Sequence, residues 1–219
     1  MCNYHFLKNQ IIYMKKYVSS IPFLKSIQEM LPSVIESASV QDVGPREGDT
    51  RSWITVAPQD LDKTLLFLRD YHASQFATLV DIYAIDFPDR EARFEVIYEL
   101  LSYRWNARLS VKTHVSETQG IPSVTSIYPN ANWAEREVWD MNGVFFYNHP
   151  DLRRILTDYG FQGHPLRKDF PLSGYTEVRY DEQLKRVIQE PLELAQEFRA
   201  FDFASPWELP IERSTKKLN

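Results

Sequence analysis

Between Ala134 and Tyr180 the chain concentrates side chains able to do chemistry. Carboxylates stand at Glu135, Glu137, Asp140, Asp151, Asp158 and Asp169, cations at Arg136, Arg153, Arg154, Arg167 and Lys168, and imidazoles at His149 and His164. Three chemistries are open to such a set. His149, Asp151 and His164 would serve a hydrolytic metal ion, Glu135 and Glu137 an acid and base pair, and the alternating charges a network of ion pairs. A catalytic metal needs ligands converging from rigid elements. No H-x-x-x-H helix face is present, and each of these histidines directly precedes a proline, Pro150 or Pro165, which fixes the backbone. Such histidines are expected to hold turns by hydrogen bonding, and a stand-alone metal-dependent hydrolase is the alternative reading. Residues two apart on a helix do not face one another, so Glu135 and Glu137 are a poor catalytic pair.

Ion pairing fits the pattern better. In EREVWD, Arg136 and Asp140 are four residues apart on a predicted helix, close enough to pair, and Glu137 shares a face with Asp140. The plainer alternative is a helix with solvated charges, which contribute little to stability. Trp139 and Met141 intervene, however, and Arg153 and Arg154 follow closely, so a packed carboxylate and arginine network locking helix to downstream arm is expected. From 135 to 172 the six acids nearly balance the five bases. Balanced, arginine-rich charge beside aromatic residues favours a protein interface.

Other chemistries lack their residues. Ser173 lies in SGY with no G-x-S-x-G elbow, and the seven glycines form neither G-x-G-x-x-G nor G-x-x-x-x-G-K. Cys2 is the single cysteine, which excludes an intrachain disulfide and the usual thiolate ligand sets of iron–sulfur clusters and structural zinc. No catalytic, cofactor-binding or metal residue is therefore assigned. A net charge of −5, with both signs interspersed, argues against a nucleic-acid surface. No stretch approaches the ~20 apolar residues that span a bilayer. The first 28 residues hold four lysines and no acid, which fits a targeting segment or an amphipathic extension.

The elements that must position these groups follow from periodicity. A chain of 219 residues, 43% hydrophobic, is long enough for one domain with tails. Ile21, Leu24, Ile27 and Leu31 give a helical face after an N-terminal extension, and the polar stretch to Thr50 reads as a linker. A strand around Trp53 to Ala57 leads to Pro58, and Leu61, Leu65, Leu68 and His72 then recur at helical spacing. Three strands follow, Ala77 to Ile85, Arg93 to Tyr103 and Arg108 to Val115. In the second, Phe94, Val96, Tyr98 and Leu100 alternate with Arg93, Glu95 and Glu99. A short helix from Trp133 to Asn142 stops at Gly143. The fold class expected is α+β: an antiparallel or mixed sheet covered by helices, followed by a long extended C-terminal arm. Its divisions are an extension and linker (1–49), a core domain (50–145) and a docking arm (146–219).

The arm is interrupted by prolines at 150, 165, 171, 191, 206 and 210, so mostly extended or loop structure is expected there. Phe198, Phe201, Phe203 and Trp207 supply apolar area that disordered tails lack, and they fit grooves on another protein. Without that protein, the arm is expected to be open to proteolysis while the core stays folded.

WAEREVWDMNGV (133–144), NHPDLRRILTDYGFQGHPLRKDFPLSGYTEVRYD (148–181) and EPLEL with QEFRAFDFASPWE (190–208) resemble the 30 kDa subunit family of respiratory complex I, the proton-translocating NADH:ubiquinone oxidoreductase. LVDIYAIDFPDREARFEVIYELLS (79–102) fits the same family. The family signature falls on Glu135, Arg136, Glu137, Asp140, Gly143, His149, Arg153, Gly160, His164, Pro165, Arg167 and Asp169; Asn142 departs from it, standing where members carry a bulky apolar residue. The resemblance implies a non-catalytic subunit of the hydrophilic arm, packed on the 49 kDa subunit, whose extension supports the quinone-reducing module. It also implies that FMN and iron–sulfur clusters reside in other subunits, none in this chain. The implied location is peripheral, on the matrix side of the mitochondrial inner membrane or the cytoplasmic face of a bacterial one. Related subunits of membrane-bound hydrogenases and other quinone oxidoreductases are the nearest alternative; QEFRAFDFASPWE favours the mitochondrial and proteobacterial branch.

Overall fold

The computed structural model describes residues 21–42, 50–193, 199 and 215–217. Helix α1 (Ile21–Met30) leads into strand β1 (Ile35–Asp42) and then β2 (Thr50–Val56). A 3₁₀ turn, Pro58–Asp60, opens helix α2 (Leu61–Asp70). Strands β3 (Thr78–Asp86), β4 (Phe94–Ser102) and β5 (Ala107–Val115) form the expected meander. Short strand β6 (Ile121–Pro122), helix α3 (Ala131–Asn142) and short strand β7 (Phe146–Tyr147) complete the frame, followed by β8 (Thr176–Asp181), β9 (Arg186–Pro191) and β10 (Thr215–Lys217).

The main sheet has the order β10-β1-β2-β5-β4-β3, and its neighbours are antiparallel except for β2 and β5. Its alternation follows the pleat. Val96, Tyr98 and Leu100 of β4 point into one core that also takes Phe23, Leu24 and Ile27 from α1, Leu61, Leu65 and Leu68 from α2, and Val138 from α3. The opposite pleat of β4 carries charge. There Glu95 pairs with Lys112 at 2.7 Å, and Glu99 accepts hydrogen bonds from Ser110 and Tyr83.

The fold departs from the sequence reading at four places. The supposed linker before Thr50 includes β1, in register with β2 through Ser39 opposite Trp53 and Val40 opposite Ser52. Its Ile35, Ala38 and Val40 are buried, so the compact part begins no later than α1. At the other boundary Phe146 is buried and β7 pairs with β6, so the core runs past 145 to Tyr147. Helix α2 ends at Asp70, which leaves His72 exposed beyond it, because Ser74 turns the chain by donating to the carbonyls of Leu68 and Tyr71. The arm also contains a paired hairpin, β8 with β9, where mostly extended or loop structure is expected from the sequence.

Candidate functional site

Helix α3 is the element that organises the signature residues. Asn130 anchors its start by donating from Nδ2 to the Leu79 carbonyl at 2.6 Å, and Gly143 ends it at φ +80°, its N–H bonded to the carbonyls of Trp139 and Val138. Glycine is required there for a second reason. A Cβ at Gly143 would meet Arg167 Nη2 at 2.6 Å and the His164 ring at 2.7 Å, so the arm packs directly on bare backbone.

Asp140, fully buried on this helix, is the main lock. Its Oδ2 accepts the N–H groups of Ile155 (3.1 Å), Leu156 (2.7 Å) and Thr157 (3.0 Å), and its Oδ1 accepts the Thr157 hydroxyl at 2.7 Å. Burial pushes the Asp140 carboxyl up, but the bonds from Thr157, Leu156 and Ile155 outweigh it and hold it below its ordinary value. Arg154 adds positive charge at 3.7 Å. The helix-to-arm network expected from the sequence is present, with a different partner set. Asp140 takes arm backbone rather than Arg136, and Arg136 donates from Nε to the Arg153 carbonyl at 3.2 Å.

A second set of contacts lies past the helix end. Leu166 N–H donates to the Met141 carbonyl, and Arg167 donates to the Asn142 carbonyl at 2.7 Å and to the Glu117 carboxylate. His164 Nδ1 lies 3.0 Å from the Asp140 carbonyl, which only accepts, so the ring carries its proton on Nδ1; burial depresses its pKa and keeps it neutral. Asp86, at the end of β3, accepts a bidentate Arg93 (2.7 and 2.9 Å) and the Lys168 N–H at 2.8 Å. Arg93 also reaches Asp169 at 3.1 Å and Glu117 at 3.6 Å. The hydrogen bonds from Arg93 hold Asp86 below the ordinary carboxylate range.

Glu135 sits on a different side of the helix. Its oxygens accept the Ser123 hydroxyl at 2.6 Å and the Val124 N–H at 2.7 Å. Burial raises its pKa to about 7, those two bonds offsetting only part of the effect. His149, its side chain equally buried, places Nε2 at 3.3 Å from the Asn132 carbonyl and 3.7 Å from Glu135, while its Nδ1 accepts the Asp151 N–H. Those partners assign the proton to Nε2 and make His149 a turn-holding residue, as the sequence indicated.

The remaining candidate residues fall outside the lock. Glu137 is exposed, Asp151 pairs with Arg153 at 2.8 Å, and Asp158 accepts the Tyr159 N–H. Gly160 turns the chain at φ +74°, and Pro165 is half-buried in the arm. Phe198, Phe201, Phe203 and Trp207 lie outside the described residues. His149, Asp151 and His164 do not converge: among the described residues no three of His, Cys, Asp and Glu are placed to hold a metal ion. Sequence reasoning missed Glu117 and Ser123, whose signals are ordinary loop residues far along the chain from their partners.

The family model described as "Respiratory-chain NADH dehydrogenase, 30 Kd subunit" matches residues 54–176. The chain is 56% identical over 195 residues to the NADH-ubiquinone oxidoreductase subunit 9 of Prototheca wickerhamii, covering 89% of this chain and 98% of that one. It is 61% identical over 146 residues to an NADH-quinone oxidoreductase subunit of Rhodospirillum rubrum, covering 67% and 68%. Among solved structures it resembles a chain of the membrane-bound sulfane sulfur reductase, an archaeal respiratory membrane complex, with a TM-score of 0.55, 28% identity and coverage of 68% and 84%. With more than half its length matched by that model and relatives this similar over most of it, the chain belongs to the 30 kDa subunit family of respiratory-chain NADH dehydrogenase.

Proposed function

We propose that this chain, a subunit of the hydrophilic arm of NADH:quinone oxidoreductase, works as a clamp that positions the quinone-reducing module and contributes no redox group of its own. Its partner in this reading is the 49 kDa subunit, on the matrix side of the inner membrane or its bacterial equivalent, with FMN and iron–sulfur clusters carried by other subunits. One observation carries the proposal. Residues 151–170 are pinned to α3 and β3 through Asp140, Arg167 and Asp86, yet they leave Leu156, Tyr159 and Leu166 exposed on the outer side. Val178, Tyr180 and Val187 of the β8–β9 hairpin are exposed as well. A two-stranded hairpin is marginal in water by itself, and large exposed apolar side chains are what anchor protein interfaces.

No helix among the described residues is long and apolar enough to cross a membrane, so attachment runs through other subunits in this reading. The test is a host complex carrying Asp140→Ala. Quinone reduction by NADH should fall together with loss of the chain from the purified complex, while NADH oxidation by an artificial acceptor at the flavin persists. Full quinone reduction by a complex lacking this chain contradicts the proposal.

A further inference from the structure

Arg136 presents an unsolved problem in charge. The residue is only 5% exposed, and Nε donates to the Arg153 carbonyl, but among the described residues no carboxylate forms an ion pair with its guanidinium. Asp151 feels its charge at longer range and is itself engaged by Arg153 at 2.8 Å. Arg154 is matched too: it donates to the carbonyls of Phe161 (3.2 Å) and Gly163 (2.9 Å) and lies 3.7 Å from Asp140. A buried cation without a close counter-charge is strongly unfavourable and persists where something else supplies one.

The surroundings say what that is. Arg136 faces a cavity of about 360 Å³, lined also by Trp133, Arg153, Arg154, Asp158 and Tyr159. Asp158 is the only acid among the described lining residues; Arg153 is engaged by Asp151 and Arg154 lies beside Asp140, so the lining cation without a carboxylate in contact is Arg136. The Arg136 guanidinium lies 5.0 Å from the Trp133 ring, and among the described residues its two terminal nitrogens have no hydrogen-bond partner. Trp133, 65% exposed, and Tyr159, fully exposed, line the same cavity, so aromatic side chains flank the charge. An arginine with a buried stem, whose terminal nitrogens open on a cavity flanked by aromatic side chains, has the composition of a protein–protein hot spot.

We propose that this cavity receives the carboxylate of an aspartate or glutamate side chain from a neighbouring protein subunit, with Arg136 as counter-charge and Trp133 and Tyr159 as walls. The inference rests on the reading of this chain as a complex subunit. Arg136 is a binding residue for the partner and has no part in electron transfer.

Two measurements on Arg136→Met test it. In the assembled complex, the variant chain should be released by rising salt at least about tenfold faster than wild type, with Arg136→Lys in between. In the full chain purified alone, the melting temperature should stay level or rise, because an unmatched buried cation has been removed. Wild-type release with a lowered melting temperature would overturn the proposal and make Arg136 a folding residue. Should the variant not purify, a photo-reactive phenylalanine analogue at Trp133 in the intact complex decides. Cross-linking to an acidic peptide of another subunit supports the proposal; cross-linking only within this chain, or to a peptide without Asp or Glu, overturns it. Failure of the wild-type chain to co-purify with any subunit would instead sink the underlying functional reading.

Discussion

Helix α3 carries two fully buried carboxylates, and its two sides treat them oppositely. Glu135 faces the core loop at Ser123 and Val124, receives two donors, and is raised to about 7. Asp140 faces the arm, receives three backbone N–H groups and a hydroxyl beside Arg154, and is held below its ordinary value, with less desolvation to offset than Glu135. Burial alone does not decide ionisation. Desolvation, deeper at Glu135, and the donors converging on the carboxylate, more numerous at Asp140, decide it together.

The most severe way to break this comparison is Asp140→Asn. The neutral amide accepts more weakly from the three backbone N–H groups, must reverse the bond to the Thr157 hydroxyl and leaves Arg154 without its nearby charge, so the free chain should lose about 3 kcal/mol or more in urea unfolding, with new proteolytic cleavage near Thr157. Glu135→Gln should do the reverse at high pH. In wild type the folded carboxyl binds its proton more tightly than the unfolded one, at about 7 against 4.5, so stability falls as pH rises through that window, by about 3 kcal/mol at most. The glutamine variant lacks that slope, and the variant minus wild-type difference at pH 5 and pH 8 isolates it from His164, whose depressed pKa acts in the opposite direction below about 6.5. An unchanged profile would show that the Glu135 carboxyl binds its proton no more tightly in the folded chain than in the unfolded one.

Gly143→Ala probes the seam between the two sides. The left-handed backbone and the clash with His164 and Arg167 should together lower stability by about 1–3 kcal/mol, with the arm loosened at Leu166. The smallest effect on the free chain belongs to the outer surface. Leu156→Ala with Tyr159→Ala should leave the melting temperature unchanged, since both side chains face solvent, and should weaken retention in the complex.

How far the sequence discloses this arrangement depends on whether the signal is local. The meander was legible because Phe94, Val96, Tyr98 and Leu100 keep strict alternation, and the end of α3 because Gly143 follows the last helical turn. Strand β1 was hidden by Ser37 and Ser39 and by an irregularity between Ile35 and Ser37 that breaks the period of two. The β8–β9 hairpin escaped because its turn uses Lys185 at φ +50° where a glycine would have announced it, and because Pro191 suggested interruption. Spacing on a helix offered Arg136 to Asp140, but tertiary packing brought three amides from fifteen to seventeen residues downstream, which no periodicity encodes. A helix-to-arm network was legible from the sequence, but the partners within it were not.

Asp140 locks the near half of the arm to α3, and in the proposed function its far half waits for a neighbour. Amide hydrogen exchange, measured on the full chain alone and in the assembled complex, tests this most directly. The amides of Ile155, Leu156 and Thr157 should exchange slowly in both states, and those of the β8–β9 hairpin should be fast in the free chain and slow in the complex. Fast exchange at Ile155, Leu156 and Thr157 in the free chain, or a hairpin equally protected in both states, would contradict it.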